Sequence, residues 1–265
     1  MAKSQNVYDK IIEKVFFDHY KKGKLFLGFN REEIRDAAIS LGLEVPKNLG
    51  DVVYTYRNRE PLPKPVTDTA PKGMEWIIVG IAKGKYSFSV TKGLDATPNL
   101  QLAETKILDA TPGIINRYAL SDEQALLAKI RYNRLIDIFT GLTCYSLQNH
   151  LRTSLKNKVQ IELDELYVGV DKRGAHYILP VQAKGGGEKL GSVQICQDIT
   201  LCSEKYPGAT CKSVGAQFLD DNLIALFEFQ IDDSEVKIAN ERHYKLVKQN
   251  ELTTKELAMY GKRTE

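Results

Sequence analysis

Residues 159–187, VQIELDELYVGVDKRGAHYILPVQAKGGG, constrain this chain more than any other stretch. Residues 160–170 and 176–183 are rich in β-branched, aromatic and Leu side chains, and Lys172-Arg173-Gly174 between them supplies a turn with Gly at a positive-φ position. The segment therefore predicts a β-hairpin with acids on one arm and Gln182-Ala183-Lys184 on the other. Two registers are open. Central turn residues Arg173-Gly174 pair Glu165 with Gln182, whereas a three-residue loop pairs Asp164 with Gln182 and Glu162 with Lys184. Either register brings a carboxylate beside Gln182 and Lys184, which point to one face while Ala183 points to the other. Asp171 lies near the turn, roughly 20 Å along the strand from Gln182 at about 3.3 Å per residue, and is a ligand candidate only without the hairpin.

Carboxylates beside an amide and a lysine suit phosphodiester hydrolysis. A hard cation takes oxygen ligands, acidifies an attacking water and neutralises charge on phosphate. An amide oxygen at Gln182 can join a carboxylate in holding such a cation, and the Lys184 ammonium can orient water or stabilise the transition state. The arrangement resembles the PD-(D/E)XK nuclease superfamily, with Glu165 or Asp164 matching its first acid and Gln182-Ala183-Lys184 its E-x-K element. Gln182 departs from the usual acid, a variant shared with modification-dependent restriction nucleases. The resemblance implies Mg²⁺, with Mn²⁺ as a substitute, and catalytic roles for Glu165, Asp164, Gln182 and Lys184.

The flanking sequence predicts a long helix over 122–155, broken at Gly141, with Leu126, Leu127, Ile130, Leu135, Ile138 and Phe139 as its apolar stripe. Ser121-Asp122-Glu123-Gln124 marks its start. Its polar face carries Lys129, Arg131, Arg134, Gln148, Asn149, His150 and Arg152, of which Arg134 and Arg152 are candidate DNA contacts. A second helix over 189–206 and strands over 210–218 and 223–231 follow, giving the α-β-β-α-β-β order that the superfamily implies. Gln194, Gln197 and Asp198 on that second helix are placed to reach over the site or to form a plain polar face.

The N-terminal third reads as a separate module. Val7, Ile11, Ile12, Val15, Phe16 and Tyr20 share one helical face, and Asn30 with Glu33 starts a second helix. A third helix over 48–57 leads through a Pro-rich stretch to strands at 76–80 and 86–90. Three helices and a hairpin is the order of a winged helix, whose third helix enters the DNA major groove. Lys47, Asn48, Tyr54, Arg57, Asn58 and Arg59 are therefore candidate DNA-binding residues, since Arg bridges guanine, Asn pairs with adenine and Lys holds phosphate.

The expected fold class is α+β: a winged-helix-like domain over 1–95, then a restriction-endonuclease-like α/β core with a mixed central sheet over 96–265, joined by a linker within 91–112. At net charge +3, DNA binding would rely on local basic patches. The four cysteines lack paired C-x-x-C spacing, which argues for reduced thiols and against zinc. No apolar run is long enough for a membrane span and no signal-peptide pattern opens the chain, so a cytoplasmic protein without a membrane partner is expected. The function expected is site-specific, Mg²⁺-dependent cleavage of double-stranded DNA by a type II-like restriction enzyme. Its partners would be a second copy of the chain and a cognate DNA methyltransferase. Two alternatives stand: a non-catalytic DNA-binding regulator on a degenerate nuclease fold, and a DNA repair or junction nuclease.

Overall fold

The computed structural model describes residues 6–118, 123–185, 190–220, 222–232 and 235–262. The chain is a mixed α+β protein in two compact units, Met1–Leu94 with Thr153–Ile161 and Gly191–Gln197, and Asp95–Arg152 with Glu162–Leu190 and Asp198–Glu265.

The first unit begins with α1 (Val7–His19), β1 (Phe26–Asn30), α2 (Arg31–Ser40), α3 (Leu49–Asn58) and α4 (Lys64–Thr67), then the hairpin β2 (Met74–Ala82) and β3 (Lys85–Lys92). Glu33 starts α2 as its spacing predicts, its carboxylate accepting from the Asn30 backbone N–H at 2.8 Å. Strand β1 pairs with β3, so the sheet order is β1-β3-β2. The apolar stripe of α1 packs onto this sheet, and the Phe16 ring meets Trp76 and Phe88 edge-on, each at 5.1 Å between centroids.

The rest of the chain, most of it in the second unit, adds β4 (Glu104–Leu108), α5 (Gly113–Tyr118), α6 (Glu123–Tyr132), α7 (Leu135–Thr140), β5 (Thr143–Ser154), β6 (Gln160–Val170) and β7 (His176–Lys184). Helix α8 (Ser192–Lys205) follows, then β8 (Thr210–Cys211), β9 (Ser213–Phe218), β10 (Leu223–Asp232), β11 (Glu235–Val247) and α9 (Thr254–Tyr260). The main sheet runs β4-β11-β10-β9-β7-β6-β5, with β8 beside β7. It is mixed, because β7 runs parallel to β9 and β4 parallel to β11 while β6–β7, β9–β10 and β10–β11 are antiparallel. One face is covered by Leu126, Leu127 and Ile130 of α6 and Leu135, Ile136 and Phe139 of α7, packed with Tyr167, Val181 and Ala183.

Three expectations change. The helix over 122–155 ends at Thr140, and residues 143–154 form strand β5. Arg134 at φ 50° breaks the helix between α6 and α7, and Gly141 at φ 68° caps α7 with its N–H on the Asp137 carbonyl. Beyond it, β5 is an edge strand with most side chains exposed, so its sequence shows no apolar periodicity of either kind. Ser121 and Asp122, read as the helix start, lie outside the described residues. The linker within 91–112 contains β4, which buries little and signals weakly, but pairs over Glu104–Leu108 with β11. Strands β1 and β11, absent from the expected order, complete the two sheets.

Candidate active site

The β6–β7 register decides which side chains meet. The strands pair from Val170↔His176 to Glu165↔Val181, the register of the three-residue loop. The turn is closed by Asp171, whose carboxylate accepts from the N–H groups of Arg173 at 2.8 Å and Ala175 at 2.9 Å. The Ala175 N–H, with the Arg173 N–H, holds that carboxyl below the ordinary range against the opposing effect of burial. Asp171 is thus a turn-forming residue far from Gln182.

The backbone pairing stops at Glu165 and Val181. At the next step the Ala183 N–H, freed from the ladder, donates to the Asp164 carboxylate at 2.8 Å. The two strands part here, and a side chain satisfies the donor that burial would otherwise strand. Asp164 therefore sits at the fork beside Gln182-Ala183-Lys184.

Alternation sorts the rest. Glu165 stands opposite Val181, on the face covered by α6 and α7, and Asp164, Gln182 and Lys184 take the other face. Of the two registers left open by the sequence, this one takes Asp164 rather than Glu165 to the side of Gln182 and Lys184. Glu165 is fully buried, and its Oε1 accepts from Arg131 Nε at 3.0 Å, Arg131 Nη2 at 2.9 Å and Ser146 Oγ at 2.7 Å. Its Oε2 is buried, with no hydrogen-bond partner among the described residues. Ser146 was missed because it belongs to β5, read from sequence as helix. A cavity of about 280 Å³ on this face is lined by Arg131, Arg134, Tyr145, Ser146 and Tyr167 among others.

On the other face, Gln182 is 2 % exposed and its Nε2 donates to the Glu162 carbonyl at 3.2 Å and to both Asp198 carboxylate oxygens at 3.0 and 3.3 Å. Those acceptors orient the amide, so that Oε1 points away from Asp198. Asp198 is itself 1 % exposed, and burial, together with the nearby Asp164 charge, pushes its carboxyl well above the ordinary range against the Gln182 hydrogen bond. Of the three polar residues proposed to reach over the site from α8, Asp198 is the one that contacts Gln182. Lys184 is also buried, and pairs in register with Gln217 of β9.

An Asp164 carboxylate and a Gln182 amide oxygen are hard oxygen donors of the kind Mg²⁺ takes, so the residues present fit such an ion in chemistry, though with little negative charge. Among the described residues no group of three or more His, Cys, Asp or Glu converges as a metal-holding set.

Several candidate DNA contacts have local partners. Arg134 pairs with Asp137, and Arg152 with Glu162 at 2.9 Å. Asn48 caps α3, its Oδ1 accepting from the Gly50 N–H at 3.1 Å. Lys47 and Arg59 are exposed, the latter with its guanidinium 4.9 Å from the Tyr54 ring centre. Arg57 is partly buried, and the Asn58 side chain is outside what the structure describes.

No protein-family model matches this chain, and no curated protein matches its sequence. No described helix is long and apolar enough to cross a membrane.

Proposed function

We propose that this chain is a metal-dependent endonuclease of double-stranded DNA, resembling the PD-(D/E)XK superfamily, that acts in the cytoplasm. The observation that carries the reading is the fork between β6 and β7, where Asp164, Gln182 and Lys184 come to one face at the point where backbone pairing ends. The surrounding order, α7-β5-β6-β7-α8-β8-β9 with β7 parallel to β9, supports it. Asp164 and Gln182 would hold Mg²⁺ or Mn²⁺, which when bound supplies charge neutralisation on phosphate and a more acidic water. Lys184 contributes a positive charge and donor N–H groups that orient the attacking water and stabilise the phosphorane-like oxygens. Asp198 and the Glu162 carbonyl hold the Gln182 amide in place.

The first unit would serve as a winged-helix DNA-binding module. Its order α1-β1-α2-α3-α4-β2-β3, with the one-turn α4 added after the third helix, and the β1-β3-β2 sheet support that assignment. Cutting both strands of a palindrome would need a homodimer, and protecting host sites a partner methyltransferase. The Gln182 variant favours modification-dependent cutting.

One observation favours a second reading, a non-catalytic regulator: the position where an acid is usual carries Gln182, with its amide nitrogen committed to Asp198. Calorimetric titration with Mn²⁺ in the presence of DNA separates the two. The nuclease reading expects binding that weakens in Asp164→Ala, and no binding to the wild-type chain would favour the regulator.

A further inference from the structure

Two arginines of the first unit have a guanidinium nitrogen shut away from solvent with no acceptor among the described residues, Arg31 Nε and Arg57 Nε. Among the described residues neither makes an ion pair. Arg31 opens α2 with its backbone N–H on the Gly84 carbonyl at 2.9 Å, which ties it to the β2–β3 turn. Its Nη2 lies 3.5 Å from the Tyr86 hydroxyl of β3. The same Nη2 would stand 4.0 Å from a Cβ built on Gly50, so the guanidinium lies against the first turn of α3. Arg57, in the last turn of α3, also has Tyr86 and Tyr54 as its electrostatic neighbours, and burial pulls its guanidinium below the ordinary value.

Arg31 thus donates to a neutral hydroxyl that also neighbours Arg57, and among the described residues neither guanidinium has a hydrogen-bonded carboxylate, Glu32 acting on Arg31 only through its field. Buried charge of this kind is costly unless paired. Exposed Lys83 and Lys85, on either side of Gly84, add to the positive field. A tetrahedral oxyanion resolves the imbalance, because its several oxygens accept from two guanidinium forks and from a tyrosine hydroxyl at once.

We infer that Arg31, Arg57 and Tyr86 form a phosphate-binding site, and that its occupant is a backbone phosphate of double-stranded DNA. The first half stands on this geometry alone, and the second rests on the DNA-binding reading above. Arg57, expected as a reader of bases, becomes a residue that sets the register of the module on the duplex.

The test uses the full chain with Arg31→Gln, Arg57→Gln and Tyr86→Phe, and Arg35→Gln on the exposed side of α2 as the control for a lost charge. Tyr86→Phe keeps the buried ring and, with Arg31→Gln, carries the test if Arg57→Gln does not fold. The first readout is the rise in Tm with inorganic phosphate over chloride of equal ionic strength. The second, in a Lys184→Ala background, is the slope of log K against log salt for a short duplex. The site predicts a phosphate-specific rise in the wild type and in Arg35→Gln, lost in both binding-site arginine variants and reduced in Tyr86→Phe. The DNA occupant predicts a slope shallower by about 0.9 in either of those variants, one phosphate contact's worth. An equal phosphate response in all variants, or none in the wild type, overturns the site. A specific response with an unchanged slope, or with no duplex binding at all, keeps the site and assigns it to a free phosphorylated ligand. Failure of DNA cleavage alone moves neither readout.

Discussion

The Nε2 of Gln182 lies 3.0 and 3.3 Å from the two carboxylate oxygens of Asp198, and both side chains are buried. In the nuclease reading, the acid expected at position 182 is instead supplied by α8, where Asp198 meets the Gln182 amide.

Asp198 makes stability depend on pH. Its folded pKa is raised by burial, so above the ordinary aspartate range the folded chain holds a proton that the unfolded chain has released. Its stabilising contribution is complete below that range and is lost as pH rises through the folded value. Asp198→Asn removes this loss. Its Tm relative to wild type should climb as pH rises from the ordinary aspartate range toward about pH 8. A difference that stays flat across that range would mean Asp198 titrates normally.

Asp164 and Glu165 are adjacent in sequence and face opposite sides of the sheet, so their substitutions should fail differently. Asp164→Asn should lower cleavage by about 100-fold or more, the scale of one lost charge at a reacting centre, with little change in Tm because its amide oxygen still accepts from the Ala183 N–H. Glu165→Gln should keep cleavage and lose about 1–3 kcal/mol of stability, less than for a fully buried pair because Arg131 is 39 % exposed. Plasmid cleavage and urea melts on the two variants check this, and an inactive but stable Glu165→Gln would reverse the assignment.

Gln182→Glu would restore the commoner acid but set a second carboxyl against Asp198. Like charges in a dry site cannot both ionise freely, so the variant should be less stable than wild type at about pH 8. Asp198→Asn in the same chain should restore part of that loss, with a coupling of about 0.5–3 kcal/mol in a double-mutant cycle. Additive effects would place the two side chains out of contact.

Gly215 pairs in register with Gln182, and a Cβ there would meet Leu190 Cδ1 at 2.5 Å and Phe229 Cε2 at 2.7 Å. Gly215→Ala should therefore cost about 1–3 kcal/mol by overpacking. Chemical denaturation measures it, and an unchanged midpoint would show that Leu190 yields freely.

The elements with strong periodicity were legible from sequence: α1, α2 with its Asn30–Glu33 start, α3, the β2–β3 and β6–β7 hairpins, and α8. Strand β5 was not, because an edge strand exposed on both faces carries no burial pattern, and Gly141 stops a helix without saying what comes next. Strand β4 was hidden for a related reason, its pairing being with β11, more than a hundred residues away. At the site, the Gln182 and Lys184 face followed from alternation. The choice between Asp164 and Glu165 turned on one residue of register, which turn chemistry left open. Asp198 fell among three polar side chains on α8, and only packing distinguishes the one that meets Gln182.

The central claim is that the Asp164–Gln182–Lys184 fork hydrolyses phosphodiester bonds. The most direct test incubates methylated and unmethylated plasmid with Mg²⁺ and either wild type or Lys184→Ala. The account predicts discrete fragments from wild type, and from Lys184→Ala intact plasmid that is still bound. Plasmid left intact by wild type on both substrates, or cut equally well by Lys184→Ala, would contradict it.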